Sequence, residues 1–226
     1  MKMSNPSDNL NAFYNHMLDC IKIYGLFTLK DADGRHPWPK QGVYFFFDPS
    51  EPIPMPGLPG RIVRIGSHGV ASNTNSTLWG RLKQHRGSQK SGGGNHRGSV
   101  FRWHIGSAIK GMPVSWLDRK ASTHEVGHLE HNHECLVSDY IRQLPFTVIE
   151  IPGIPRKDCQ RAIFESECIS YLSWAGHNGL IKSGDKWLGH QAANDKVKQS
   201  GLWNVKDIWV NGHSNPYIPT WPLSYV

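Results

Sequence analysis

Arg81 and His85 stand four residues apart, with Leu78 three residues before the arginine and Leu82 just after it. A helix here would carry the guanidinium and the imidazole on one face and the leucines on the next. The two polar groups can then point together into a groove, although the same pair also suits an ordinary solvated helix face. Glu165 is more telling. On a wheel at about 100° per residue, Phe164, Cys168, Ile169 and Leu172 share one side and Glu165 lies within that stripe, whereas Glu167 falls on the opposite flank. A carboxylate in an apolar stripe needs a cation or a hydrogen-bond network to offset its desolvation. A structural ion pair is one solution. A hard divalent cation, bound through one or two carboxylates plus waters and phosphate oxygens, is the other.

Two segments upstream read Gly42-Val43-Tyr44 and Arg64-Ile65-Gly66. Together with Leu78 three residues before Arg81, His85 four residues after it, and Glu165 four residues before Ile169 in the stretch IFESECIS, they resemble the ordered motifs of the GIY-YIG nucleases. The resemblance covers about residues 41 to 180. It departs from the family pattern at three places. Arg64 stands where a second tyrosine is usual, the two tripeptides are separated by a proline-rich insertion, and Asn178 sits near the family's asparagine without the preceding proline, Asn194 being an outside candidate.

The resemblance implies a metal-dependent endonuclease hydrolysing DNA phosphodiesters, RNA remaining open. Glu165 would bind Mg²⁺ or Mn²⁺, Tyr44 would position or activate the attacking water, and Arg81 would stabilise the phosphate. His85 would accept a proton from Tyr44 or from the water, Arg64 would add a second cation beside the phosphate, and Asn178 would complete the set. The alternative is a nucleic-acid-binding protein that keeps the fold without cleavage, which Arg64 in place of tyrosine makes conceivable. Cutting both strands from one site per chain would need a homodimer or two successive events.

The elements that must position these residues follow from composition. Gly42 to Asp48 and Arg61 to Ser67 are short, aromatic and β-branched, as strands are, and the intervening PSEPIPMPGLPG, with five prolines, can only be a stiff loop. Asn9 to Tyr24 has helical spacing, and Ser76 and Thr77 offer an N-cap for a helix from Leu78 to His85. Val100 to Ile109 reads as a strand, the His-rich region to Asn132 as irregular, Cys135 to Gln143 as a helix, Phe146 to Ile151 as a strand and Lys157 to Leu172 as a helix. The expected fold is α+β, a small, mostly antiparallel sheet flanked by helices. Residues 1–40 form an N-terminal helix and linker, 41–180 a nuclease-like domain, and 181–226 an extension packed on or beside the core.

At 226 residues and 38% hydrophobic content the chain supports one well-buried core. A net charge of +7 favours a polyanionic partner. The stretch Arg86 to Arg102 after the arginine helix, with Arg86, Lys90, Arg97 and Arg102 among flexible glycines, is the expected site of phosphate contact together with Lys83 on the helix itself. His124, His128, His131, His133 and Cys135 crowd together, but no standard four-ligand pattern completes them, and a solvated loop is favoured over a structural zinc. The four cysteines are dispersed and read as reduced thiols. With no apolar signal at the N-terminus and no stretch long enough to span a bilayer, a cytoplasmic protein with no membrane contact is expected.

Overall fold

The computed structural model describes residues 5–68, 77–211 and 213–222. Helix α1 (Pro6–Tyr24) starts where the Asn5 side chain accepts from the Ser7 N–H at 3.1 Å, with Pro6 at its first position. It buries Leu10, Phe13, Tyr14, Met17 and Cys20, the stripe expected of helical spacing. Strands β1 (Phe27–Thr28), β2 (Gly42–Asp48), β3 (Arg61–His68) and β4 (Pro145–Glu150) form one antiparallel sheet in the order β1-β4-β2-β3. The remaining helices are α2 (Leu78–Arg86), α3 (Val100–Ala108), α4 (Thr123–Gln143), α5 (Gln160–His177) and α6 (Asp195–Ser200).

Helices cover both faces of the sheet, and this explains the composition of β2. All seven of its residues are buried, so the strand reads as a continuous aromatic run rather than as an alternation. Val43, Phe45 and Phe47 point toward α1 and α5, while Tyr44 and Phe46 point toward α2, α3 and α4. The single core expected from length is thus two clusters divided by the sheet. An α+β architecture with a small antiparallel sheet and an N-terminal helix is what the chain adopts.

Two expectations were wrong. Val100 to Ile109 is the helix α3. Its aromatic and β-branched content suggests a strand, but Ser99 caps the helix by accepting from the Arg102 N–H at 3.3 Å, and Phe101, Ile105 and Ala108 turn one stripe inward. Helical packing also explains Gly106, where a Cβ would come within 2.1 Å of the Trp116 ring. The His-rich segment is the N-terminal half of α4 rather than an irregular loop, so polarity there marks an exposed helix face. Elsewhere the ends move: α1 begins earlier than Asn9, and α5 starts at Gln160 and runs on to His177. Thr77 does cap α2, accepting from the Gly80 N–H at 3.0 Å, while Ser76 lies outside the described residues. No described helix is long and apolar enough to cross a membrane.

β3 ends the sheet, and an open strand edge invites further pairing. The segment after α6 covers it. The Trp203 N–H donates to Val63 O at 2.7 Å, and the Asn204 carboxamide holds both backbone groups of Ile65, accepting from its N–H at 3.2 Å and donating to its carbonyl at 2.9 Å. Asn204 is buried, so removing it leaves two backbone groups without partners. Asn204→Ala should lower unfolding free energy by about 1–3 kcal/mol and speed amide exchange at Ile65. Unchanged exchange at Ile65 would show that the edge is held by other means.

Candidate active site

The site is built on the antiparallel register of β2 and β3, in which Tyr44 lies opposite Gly66. A Cβ on residue 66 would fall 2.2 Å from the Tyr44 hydroxyl oxygen, so only glycine lets the phenol lie across the neighbouring strand. The seated ring reaches α2, where its hydroxyl bonds His85 Nε2 at 2.7 Å. The other ring nitrogen, Nδ1, bonds Ser99 Oγ at 2.8 Å. All three residues are buried to within 1%. Burial holds the His85 pKa well below its ordinary value, and the charges of Arg81, Arg64 and Arg102 push the same way.

Glu165 reaches β3 from the other side. Position 67 pairs with Val43 and so shares the face on which α5 packs; there the Ser67 hydroxyl donates to Glu165 Oε2. Glu165 is half-buried. Burial raises its pKa, opposed by the Ser67 bond and by Arg64, with Asp207 raising and Lys206 lowering it from the C-terminal segment. Glu167 is occupied elsewhere, accepting from the Thr220 N–H at 3.1 Å. Among the described residues no hydrogen bond joins Glu165 to Tyr44, His85 or Arg81. Adjacent residues of β3 link the two halves instead, Gly66 receiving the phenol and Ser67 the carboxylate.

Arg81 lies one turn before His85, half-buried, with Nη1 donating to Gln84 Oε1 at 2.8 Å and to Gly98 O at 3.1 Å. Arg64 occupies the face shared by Tyr44 and Phe46. Its Nη1 donates to Trp203 O at 3.0 Å and its guanidinium lies 5.5 Å from the Phe101 ring centre. Asn178 is not brought to this centre. It caps the end of α5 with its amide on Trp174 O at 2.9 Å, thirteen residues beyond Glu165 and so roughly 20 Å along the helix. Asn194 caps α6. The asparagine that touches the strand bearing Gly66 is Asn204, which motif spacing missed because it belongs to a distant segment.

Three of the five residues expected to contact phosphate are structural. Arg102 is fully enclosed, with Nε on Glu134 at 3.0 Å and Nη1 on His85 O at 2.8 Å. Arg97 makes a two-pronged pair with Glu130 at 2.6 and 3.0 Å. Arg86 is buried with its guanidinium 5.1 Å from the Trp79 ring centre and Nη1 on Ala32 O at 3.0 Å. Lys83 and Lys90 remain exposed. The missed signal was Glu130 and Glu134, carboxylates one turn apart on the inner face of α4, which become visible only once that segment is read as a helix.

The histidines of α4 diverge. His133 is buried with Nε2 on Gly106 O at 2.8 Å, His131 lies 3.7 Å from Cys135 Sγ, and His124 and His128 are exposed. No group of three potential ligands able to hold a metal occurs among the described residues. A cation at Glu165 would therefore take one carboxylate and complete its shell with water and phosphate oxygens. This is the habit of Mg²⁺, and it fits a carboxylate whose Oε1 accepts no hydrogen bond from a described residue. All four cysteines are free.

A family model described as GIY-YIG domain matches residues 4–217. The chain belongs to this family, and with it to a nuclease fold that generally acts on DNA and generally uses divalent metal ions. No curated protein and no solved structure matches the chain.

Two buried imidazoles make the fold acid-sensitive. His104 is 1% exposed and its pKa falls from 6.5 to about 4, through burial and then the charges of Arg64 and Arg119; His85 shifts in the same direction. Above the ordinary histidine value neither the folded nor the unfolded chain binds these protons. Below it the unfolded chain takes them up first, so stability falls as pH falls. For His104 the loss continues to about 4 and amounts to roughly 3 kcal/mol. Urea unfolding at about pH 7.5 and about pH 5 should show the decline, and His104→Phe should flatten it; equal stability at both values would contradict the assignment.

Proposed function

We propose that the protein is a metal-dependent endonuclease that hydrolyses DNA phosphodiester bonds at this centre. The supporting observation is the dipeptide Gly66-Ser67, which holds the Tyr44–His85 pair and the Glu165 carboxylate on successive residues of one strand. Hydrolysis requires a water in line with the leaving 3′ oxygen and stabilisation of charge on the phosphoryl oxygens. Glu165 would hold Mg²⁺ or Mn²⁺, which supplies charge stabilisation at the scissile phosphate. Among the described residues Arg81 engages only Nη1, which leaves Nε and Nη2 to grip two phosphate oxygens at once. Tyr44 orients the water through its hydroxyl, and Arg64 adds positive charge on the same face of the sheet. Lys83 and Lys90 offer exposed ammonium groups to neighbouring phosphates of the strand.

Free thiols suit a reducing compartment, so the cytoplasm is the proposed location. With one site per chain, double-strand cleavage proceeds through a homodimer or by two successive nicks.

Supercoiled plasmid with Mg²⁺ or Mn²⁺ tests the reading. Wild-type protein should nick it, Glu165→Ala and Arg81→Ala should lose about 100-fold or more, and Tyr44→Phe should lose about 100-fold. RNA of the same sequence serves as the second substrate. Retarded migration of DNA without metal-dependent nicking would instead assign the chain to binding without cleavage, the reading that Arg64 in the tyrosine position favours.

A further inference from the structure

The glycine-rich stretch between α2 and α3 is a built wall rather than a slack linker. Arg142 of α4 clamps it, with Nε on Arg86 O at 3.1 Å and Nη2 on Ser88 O at 2.8 Å and on Gly92 O at 3.1 Å. The Ser88 N–H donates to Gly93 O at 2.7 Å and the Gly92 N–H to Ser88 O at 3.0 Å, which closes the turn on itself. Its glycines are packing requirements. A Cβ on residue 94 would fall 2.3 Å from the Arg102 guanidinium carbon, and one on residue 87, where φ is +74°, would fall 2.6 Å from Gly93 O. Between this wall and α2 lies an open groove of about 430 Å³. It begins beside Arg81, because Gln84 and Gly98, whose oxygens accept from Arg81 Nη1, both line it.

Internal bonds decide what the lining side chains can still offer. The Gln84 carboxamide turns its oxygen to Arg81, which leaves its NH2 as a donor. The Asn95 oxygen accepts from the Arg97 N–H at 2.9 Å, which leaves the same group. Neither carboxamide can be flipped without losing its bond, since a guanidinium and a backbone N–H only donate. Ser88 Oγ accepts from the Ser91 N–H at 3.2 Å, so its own proton is there to be given. Among the described residues none of these three donors has an acceptor, Lys83 has no carboxylate partner, and no carboxylate lines the groove. Four donors and an adjacent guanidinium therefore face one space. A phosphodiester, whose free oxygens only accept, matches such a set, whereas the edge of a base pair mixes donors with acceptors.

We propose that this groove is a second phosphate subsite, in which Lys83, Gln84, Ser88 and Asn95 hold a phosphodiester neighbouring the one gripped by Arg81 on the same DNA strand. Contact of this kind goes to the backbone and not to the bases, so it adds affinity and fixes the path of the strand without selecting a sequence. The subsite rests on the nuclease reading for the identity of the strand and for the role of Arg81. It goes beyond that reading in assigning three neutral donors to the substrate and in giving the strand its course away from the centre, along α2 and the glycine-rich wall.

Binding of short DNA duplexes, followed by fluorescence anisotropy without divalent metal so that cleavage plays no part, tests the subsite apart from the chemistry. Asn95→Asp keeps an oxygen for the Arg97 N–H but sets a carboxylate where the amide donor was, and should weaken binding roughly 10-fold or more on two duplexes of unrelated sequence. Lys83→Gln, at an exposed position that keeps the test open if the first variant does not fold, should weaken binding and lower the slope of log K against log salt by about one. Replacing the backbone phosphates one at a time by uncharged methylphosphonates should find a position where the wild type loses affinity and the variants lose little more. Wild-type affinity and salt slope in the variants overturn the proposal. So do a loss seen on one sequence alone, methylphosphonate effects that are the same in wild type and variants, or a wild type that binds neither duplex. A protein that shows the expected binding pattern but never nicks plasmid keeps the subsite and loses the nuclease reading; nicking by a wild type whose variants bind normally does the reverse.

Discussion

The close approach of the Tyr44 phenol to the backbone of Gly66 is the constraint on which the rest of the site depends. Antiparallel pairing sets the two residues opposite one another, and the missing Cβ lets the ring cross the neighbouring strand instead of stopping short of it. From there the hydroxyl meets His85, which fixes how α2 must lie and hence where Arg81 emerges. The next residue along the strand turns to the opposite face, as strand geometry requires, and gives Ser67 to Glu165. A shift of one residue in this pairing would exchange the two faces and separate the groups. The edge of β3 is the weak side of such a scheme, and the bonds from Trp203 and Asn204 pin it at the residues just before Gly66.

Much of the chain's positive charge is spent inside the protein. Arg61 pairs with Glu51 at 2.7 Å, Arg97 with Glu130 and Arg102 with Glu134, each pair buried or nearly so. Such pairs stabilise only modestly against an apolar substitute, but removing one partner is costly because a buried charge is left alone. They also fix geometry. Arg102 donates to the His85 carbonyl and to Glu134, tying α2 to α4 behind the imidazole. The groups left for a polyanion near the site are therefore fewer than the net charge of +7 suggests, chiefly Arg81, Lys83 and Lys90.

The sequence made some of this legible and hid the rest for physical reasons. β2, β3 and α5 could be read because their composition and spacing agree with their burial, and Glu165 stood out because a carboxylate in an apolar stripe is conspicuous. The helix α3 was hidden because its residues also suit a strand, and its cap at Ser99 was overlooked within a glycine-rich stretch. Along the chain Arg97 and Arg102 look like free cations, since their carboxylate partners Glu130 and Glu134 sit on α4, whose polar first half conceals its helical inner face. Ser67, Ser99 and Asn204 act through single hydrogen bonds to residues far away in the chain, and nothing local in the sequence marks them.

In the proposed nuclease, Tyr44 and Glu165, which share no hydrogen bond among the described residues, act as one centre through Gly66-Ser67. A double-mutant cycle of Tyr44→Phe and Glu165→Asp, read by single-turnover cleavage of plasmid in Mn²⁺, tests it most directly. Groups that serve one step lose their effects together, so the double variant should lose clearly less than the product of the two single losses. Losses that simply multiply would contradict the account and leave two independent sites on opposite faces of the sheet.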